Sequence, residues 1–391
     1  MRDMKFVRKK ENTERYVDNI FSVVNAAKAD PNGINATAGC LYDEEGKLFT
    51  FKCVFEEEAK IPAARRAAYA SSPAGNSDYI ELVSDFVLDG RVSNHHKAIA
   101  TPGGTGAIAT AVSSCLDEGD HIIYPKIAWG NYKVIASEHN LAVSTYDVYD
   151  LDDLFEKIDA VEGKVFLVVN SPCENPLGQA YSLDEWKKII AKLNSLNKEA
   201  VLLCDIAYID YANGDPKAYF SLFNELSDNV LVLLCASCSK AFSYYGQRLG
   251  ALIAIHNDEG FLDHYINLCS RLARATWSNL NNAAMINIAA VLKDRREDYE
   301  RELTAARKML KDRSELFIRQ AKDCGLELYT SCDGFFVTIV CKDNASRDQF
   351  HQKLIDAHIY TIKVNQGIRV GLCSVPLKTV DGLAERIKEL M

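Results

Sequence analysis

The chain has 391 residues, more than one hydrophobic core ordinarily serves, so its length points to two packed domains. Apolar residues make up 48% and charged residues 25%, a balance that excludes a disordered chain. A net charge of −9 at pH 7 opposes binding to a phosphate backbone, since the one dense basic run is Arg8-Lys9-Lys10.

Taken in chain order, the start MRDMKFVRKKENTER is charged throughout, and no apolar stretch approaches the length of a membrane span. A cytoplasmic protein with no membrane or nucleic-acid partner is expected. The segment before about Asp43 is expected to pack with the end of the chain. The long middle alternates short apolar runs with amphipathic stretches, which predicts a parallel sheet covered by helices. Its strands are read at 98–101, 121–124, 164–170, 200–208, 230–236 and 250–255. Ser182 followed three positions later by Glu185 forms a capping box that starts the helix EWKKIIAKLNSLN. After Gly260 the pattern becomes helical, and RREDYERELTAARKMLKDRSELFIRQAK reads as one extended amphipathic helix bridging two domains. The tail predicts strands at 326–329, 335–341 and 368–372, a helix at 347–357 and a closing helix at 377–391. The domains are therefore placed at 44–300, and at 1–43 with 301–391. Twelve cysteines lie mostly in strand-like apolar runs and read as reduced, buried thiols. Cys235 and Cys238 have the spacing of half a metal site, but no second pair stands at ligand distance, so no metal is expected. His95-His96 is read in the same way.

Several strand ends carry chemistry. In ATPGGTGAIATAVSSCL a strand passes through a glycine-rich turn into a helix, where Gly103, Gly104 and Thr105 suit a phosphate at the helix N-terminus. The turn lacks the lysine of a P-loop and the spacing of a dinucleotide fingerprint. The loop YPKIAWG brings the aromatic Trp129. In VVNSPCENPLGQAYS, turn chemistry accounts for the proline and glycine but does not require Asn175, whose plain reading is an Asx turn. In LLCDIAYIDY an apolar strand ends in Asp205, with Tyr208 three positions on. A buried carboxylate needs a partner, which a protonated pyridine nitrogen would be; a turn cap is the bland alternative. In CASCSKAFSYYGQRLGA a strand delivers Ser237 and Lys240, and Arg248 follows. A lysine at that place can bond an aldehyde cofactor while the hydroxyl and the guanidinium suit a phosphate; the alternative is a surface lysine. Arg369 stands in a late strand, GIRVGL.

In this order the motifs resemble the fold-type I pyridoxal-phosphate enzymes, specifically the aspartate and aromatic amino-acid aminotransferases, over nearly the whole chain. The resemblance implies an α/β fold with a large domain built on a mostly parallel seven-stranded sheet and a smaller α/β domain. It implies a phosphate turn at PGGTGA, Trp129 stacked on the pyridine ring, and Asn175, Asp205, Tyr208, Ser237, Lys240 and Arg248 as ring and phosphate ligands. Arg369 resembles the arginine that grips the substrate α-carboxylate. Within SRLARATWSNLNNAA, Arg274 holds the place from which the partner subunit meets a distal carboxylate. INATAGCLYDEEGK is similar to the loop that covers the substrate, putting Gly39 at its carboxylate. Tyr69 matches, across a one-residue gap, the tyrosine that reaches the neighbouring subunit's phosphate. Departures are Tyr132, where the aspartate enzymes usually carry a histidine behind the ring-bound aspartate, the acidic residue beside Asn175, and Thr37-Ala38 before the glycine of the covering loop.

The implied activity is transfer of an amino group between an L-amino acid, aspartate or glutamate with aromatic amino acids also open, and a 2-oxo acid such as 2-oxoglutarate. Pyridoxal 5'-phosphate is bonded to Lys240, and Lys240, Asp205 and Tyr208 are the catalytic groups. A homodimer sharing its active sites is implied. A pyridoxal-phosphate lyase or decarboxylase on the same fold is the alternative.

Overall fold

The computed structural model describes residues 19–330 and 334–391; the basic run Arg8-Lys9-Lys10 lies outside them. Seven strands form the main sheet: β2 (His95–Thr101), β3 (His121–Pro125), β4 (Ala142–Tyr146), β5 (Val165–Asn170), β6 (Ala200–Asp205), β7 (Val230–Ser237) and β8 (Gly250–His256), after a short β1 (Ile34–Asn35) that lies elsewhere. Their spatial order is β2-β8-β7-β6-β5-β3-β4. All neighbouring pairs run parallel except those of β8, which is antiparallel to both β2 and β7.

The strand sequences read as continuous apolar runs because both faces are covered. Alternate side chains of one strand enter opposite clusters: Val165, Leu167 and Val169 one, Phe166 and Val168 the other. The second cluster is closed by the helices Gly103–Cys115 and Glu259–Thr276. Only β4, at the sheet edge and largely exposed, has no apolar run, and it is the strand that periodicity missed.

The capping box at Ser182 and Glu185 is formed in both directions. The long helix spans Arg296–Cys324 and serves two cores: Tyr299, Leu303, Ala306 and Leu310 enter the main cluster, whereas Phe317 and Ala321 enter a third. That third cluster gathers Ala36 with β9 (Phe336–Val340), β10 (Ile359–Tyr360), β12 (Gly367–Gly371) and the closing helices, beside β11 (Ile362–Val364). There β1 pairs in parallel with β10, and the Gly371 amide donates to the Ala36 carbonyl at 2.8 Å.

Three local expectations are corrected. The strand read at 200–208 stops at Asp205, because its side chain accepts from the Ala207 amide at 3.2 Å and turns the backbone. The strand read at 326–329 is a single bridge between Leu328 and Ile339. The closing helix breaks into Leu377–Val380 and Leu383–Glu389 at Gly382, whose φ of 75° leaves the helical region. Among the described residues no helix is long and apolar enough to cross a membrane, and no group of three or more His, Cys, Asp or Glu can hold a metal. The described cysteines other than Cys173 are free thiols.

Candidate active site

The C-terminal ends of β2, β5, β6 and β7 open on one edge of the sheet, where ligands of such sheets bind. Because β8 runs the other way, its first residue Gly250 lies between Thr101 and Ser237 at that same edge. A cavity of about 120 Å³ sits there, lined among others by Thr105, Trp129, Asp205, Ser237, Lys240 and Arg248. Asn175 and Tyr208 also line it.

At one end the helix Gly103–Cys115 points its N-terminus into the cavity, offering unpaired amides and the positive end of its dipole. The glycines there are required by close approach. A Cβ on Gly103, whose φ is 77°, would stand 2.7 Å from an Arg248 guanidinium nitrogen, and one on Gly104 would stand 3.2 Å from the Ser237 side chain. Arg248 donates to the Ser239 hydroxyl at 3.1 Å and to the Tyr245 carbonyl at 2.9 Å, which fixes its fork beside the turn. Hydroxyls, a guanidinium and a helix N-terminus converge, and this donor set fits a phosphate dianion.

At the other end Asp205 is buried. Its Oδ2 accepts from the Tyr132 hydroxyl at 2.6 Å and its Oδ1 from the Ala207 amide. Burial pushes its carboxyl above the ordinary range, while Tyr132, the Ala207 amide and the Lys240 charge pull the other way. A ring cation is the partner such a carboxylate lacks. The departure noted at Tyr132 thus has a geometric content: a neutral phenol, itself packed edge-on against Trp129 at 5.4 Å, supplies the donor.

Between these ends lies Lys240, half-buried, with its amine 5.6 Å from the Tyr208 ring centroid and 4.9 Å from that of Tyr245. Burial drives the amine below its usual value, and the neighbouring thiols of Cys40 and Cys373 oppose this only in part. Asp205, at the end of β6, and Lys240, in the short helix Cys238–Ala241 that follows β7, therefore face one cavity.

The Asn-Pro loop is locked to this edge by Asn170, which donates to the Asp205 carbonyl at 2.7 Å and accepts from the Asn175 amide at 2.9 Å. The Asn175 side-chain oxygen in turn accepts from Arg369 at 3.0 Å. Arg369, on β12, also donates to the Thr37 carbonyl at 2.7 Å and lies over the Phe336 ring at 4.2 Å, so Arg369 and Asn175 arrive as one unit. Gly39 lies beside them: a Cβ there would be 3.8 Å from the Tyr208 hydroxyl.

Gly39, Gly103 and Arg369 stand against residues that line the cavity, whereas Tyr69 and Arg274 stand apart from it. Tyr69 is 87% exposed, and Arg274 is exposed with its guanidinium 2.5 Å from the Ser278 hydroxyl. The segments that carry them are joined: Asn279 accepts from the Ala70 amide at 2.8 Å and donates to the Ala70 carbonyl at 3.2 Å.

Sequence reasoning passed over Arg313 and underrated Glu174. Arg313 is wholly buried and donates to Glu44 and to the Tyr42, Leu372 and Cys373 carbonyls, clamping the 38–44 segment onto the end of β12. Glu174 is buried within the Asn-Pro loop.

Comparison with known proteins agrees with this geometry. Residues 31–387 match the family described as aminotransferase class I and II. An aspartate aminotransferase of Pseudomonas aeruginosa is 25% identical over 388 residues, covering 93% of this chain and 95% of the relative. An aromatic-amino-acid aminotransferase of Escherichia coli is 26% identical over 295 residues, 71% of this chain and 73% of the relative. The crystal structure of an aminotransferase from Anaerococcus prevotii superposes with a TM-score of 0.92 at 30% identity, covering 99% of each chain. The chain belongs to the class I and II aminotransferases. It is a pyridoxal-phosphate-dependent transaminase with the fold-type I architecture, and the alternative of a lyase or decarboxylase on this fold is not favoured.

Proposed function

We propose that the amino donor is a dicarboxylic L-amino acid, aspartate or glutamate, with aromatic amino acids as further substrates, and that 2-oxoglutarate is an acceptor. One observation carries the assignment of residues: the amine of Lys240 and the carboxylate of Asp205 share a cavity whose far end is built for a phosphate. Bound pyridoxal phosphate supplies an electron-withdrawing ring that takes up the electron pair left when the substrate Cα loses its proton.

The protein's own groups divide the remaining work. Gly103, Gly104, Thr105, Ser237 and Arg248 would hold the phosphate, and Trp129 and Tyr208 would hold the ring. Asp205 keeps the ring nitrogen protonated, and Tyr132 steadies that carboxylate. Lys240, its amine made less basic by burial, would anchor the cofactor and would serve as the base for the substrate Cα proton. Arg369 binds the α-carboxylate with Asn175 already in contact. Gly39 belongs to the segment that closes over the substrate.

Arg274 and Tyr69 complete the site from a second copy of the chain, which makes the protein a homodimer with shared active sites. Their exposure outside the cavity and the tie between Ala70 and Asn279 support this reading. The large domain spans 44–300 and the smaller one 1–43 with 301–391, and the compartment is the cytoplasm.

The test is a half-reaction titration with a panel of amino acids. It follows the cofactor spectrum and identifies the carbon product. Release of the matching 2-oxo acid from aspartate or glutamate is expected. Carbon dioxide or ammonia in place of an aminated cofactor would refute the transfer reaction, and preference for an aliphatic monocarboxylate donor would refute the substrate.

A further inference from the structure

Glu174 has 0% exposure and stands next to Asn175. Its Oε2 accepts from the Leu177 amide at 2.6 Å, while its Oε1 has no hydrogen-bond partner among the described residues. No basic side chain among them pairs with it. The backbone on either side is tied down: the Glu174 amide donates to the Gln179 carbonyl at 3.0 Å, and the Gly178 amide to the Glu174 carbonyl at 2.6 Å. Thr338, the register partner of Arg369, donates to the Pro176 carbonyl at 2.7 Å. The Leu177 amide at the centre of this turn is left for the Glu174 side chain to satisfy.

A buried acid with no counter-ion is costly when charged. Burial and the nearby Asp205 push its carboxyl well above the usual range, with the Leu177 amide and Arg369 opposing. What the loop takes from position 174 is thus an acceptor oxygen and not a charge.

We propose that Glu174 is a positioning residue of the carboxylate clamp: its buried acceptor oxygen folds the turn at Leu177 and so aims the Asn175 side-chain oxygen at Arg369. The proposal rests on the reading of Arg369 and Asn175 as the substrate-carboxylate site. It separates two substitutions of similar size. Glu174→Gln keeps the acceptor and drops the ability to ionise; Glu174→Met drops both.

In the holoenzyme, Glu174→Gln is expected to keep KM for the amino donor and the visible spectrum of the cofactor within about threefold and unshifted, respectively. Glu174→Met is expected to raise KM by roughly tenfold, somewhat more than one lost hydrogen bond, with kcat changed far less. Calorimetry with an amine-free carboxylate, succinate or 3-phenylpropionate, should show the same weakening and the same rescue by glutamine. A Glu174→Gln protein impaired by tenfold or more overturns the proposal, and does so even where Glu174→Met cannot be recovered folded. A Glu174→Met protein with wild-type KM and carboxylate affinity overturns it equally. Arg369→Lys, run alongside, isolates the underlying reading: if it leaves carboxylate affinity untouched, the clamp assignment fails first.

Discussion

Replacing Arg313 by methionine removes a buried cation that joins three parts of the chain. Its Nε and one terminal nitrogen reach the same Glu44 oxygen at 3.0 and 2.6 Å, that nitrogen also reaches the Tyr42 carbonyl at 2.9 Å, and the other reaches the Cys373 carbonyl at 3.1 Å. These contacts do not count equally. The Glu44 side chain is 46% exposed and returns to water when its partner goes, so that pair contributes little beyond a surface ion pair. Cys373 keeps a donor, the Tyr42 amide at 2.8 Å. The Tyr42 carbonyl loses the guanidinium, and stranding such a group costs about 1–3 kcal/mol. The hydrogen bonds from the buried guanidinium to the carbonyls are charge-assisted and together contribute about 1.5–3 kcal/mol, offset in part because the buried charge leaves with the side chain and methionine packs well. The expected loss is about 3 kcal/mol. Equilibrium urea unfolding, at fixed protein concentration so that association does not shift the midpoint, measures it. Glu44→Gln should cost about 1 kcal/mol at most in the same assay. A loss below about 1 kcal/mol for Arg313→Met, or equal losses for the two variants, refutes the apportionment.

Lys240→Ala should yield a folded protein that binds the cofactor without its lysine-linked visible absorbance and turns over at least about a thousandfold more slowly; near-normal turnover removes Lys240 from the mechanism. Tyr132→Phe deletes the 2.6 Å donor to Asp205 and should lower kcat/KM roughly tenfold, in line with a hydrogen bond to a charged group, while leaving the melting temperature nearly unchanged. A fall of less than twofold would make that contact incidental. Arg274→Ala should harm aspartate and glutamate turnover more than phenylalanine or tyrosine turnover, and equal losses would deny it a selecting role.

What the sequence disclosed and what it hid follow from where each side chain sits. Asp205 ends a strand that is apolar on both faces and Lys240 lies one helical turn beyond another, so a charge just after such a run has no bland explanation as strong as its chemical one. The phosphate-turn glycines were legible as a strand-to-helix turn, but the Arg248 guanidinium and Ser237 side chain whose close approach requires them needed coordinates. Arg313 was invisible: on a helix rich in lysine and glutamate it looks like one more solvated charge, and only the fold buries it. Glu174 in a loop reads as exposed for the same reason. The edge strand β4 carried no apolar signature to detect. Tyr132 stood out as a departure, but its bond to Asp205 joins residues 73 positions apart and needs coordinates.

The reversal of β8 has a consequence for how much variation this active site tolerates. Because the chain re-enters the sheet at Gly250 beside the strand it has just left, Lys240 and Arg248 hang on a closed span whose ends are stapled by the Cys238 amide and the Leu249 carbonyl at 3.0 Å. Arg248 takes a left-handed backbone, φ 54° and ψ 55°, to make that return. The distance from the lysine to the phosphate cradle is therefore set by the length of a short sealed hairpin and not by the mobility of a lid. A one-residue insertion there would shift one anchor against the other, so indels should be confined to the opposite edge of the sheet.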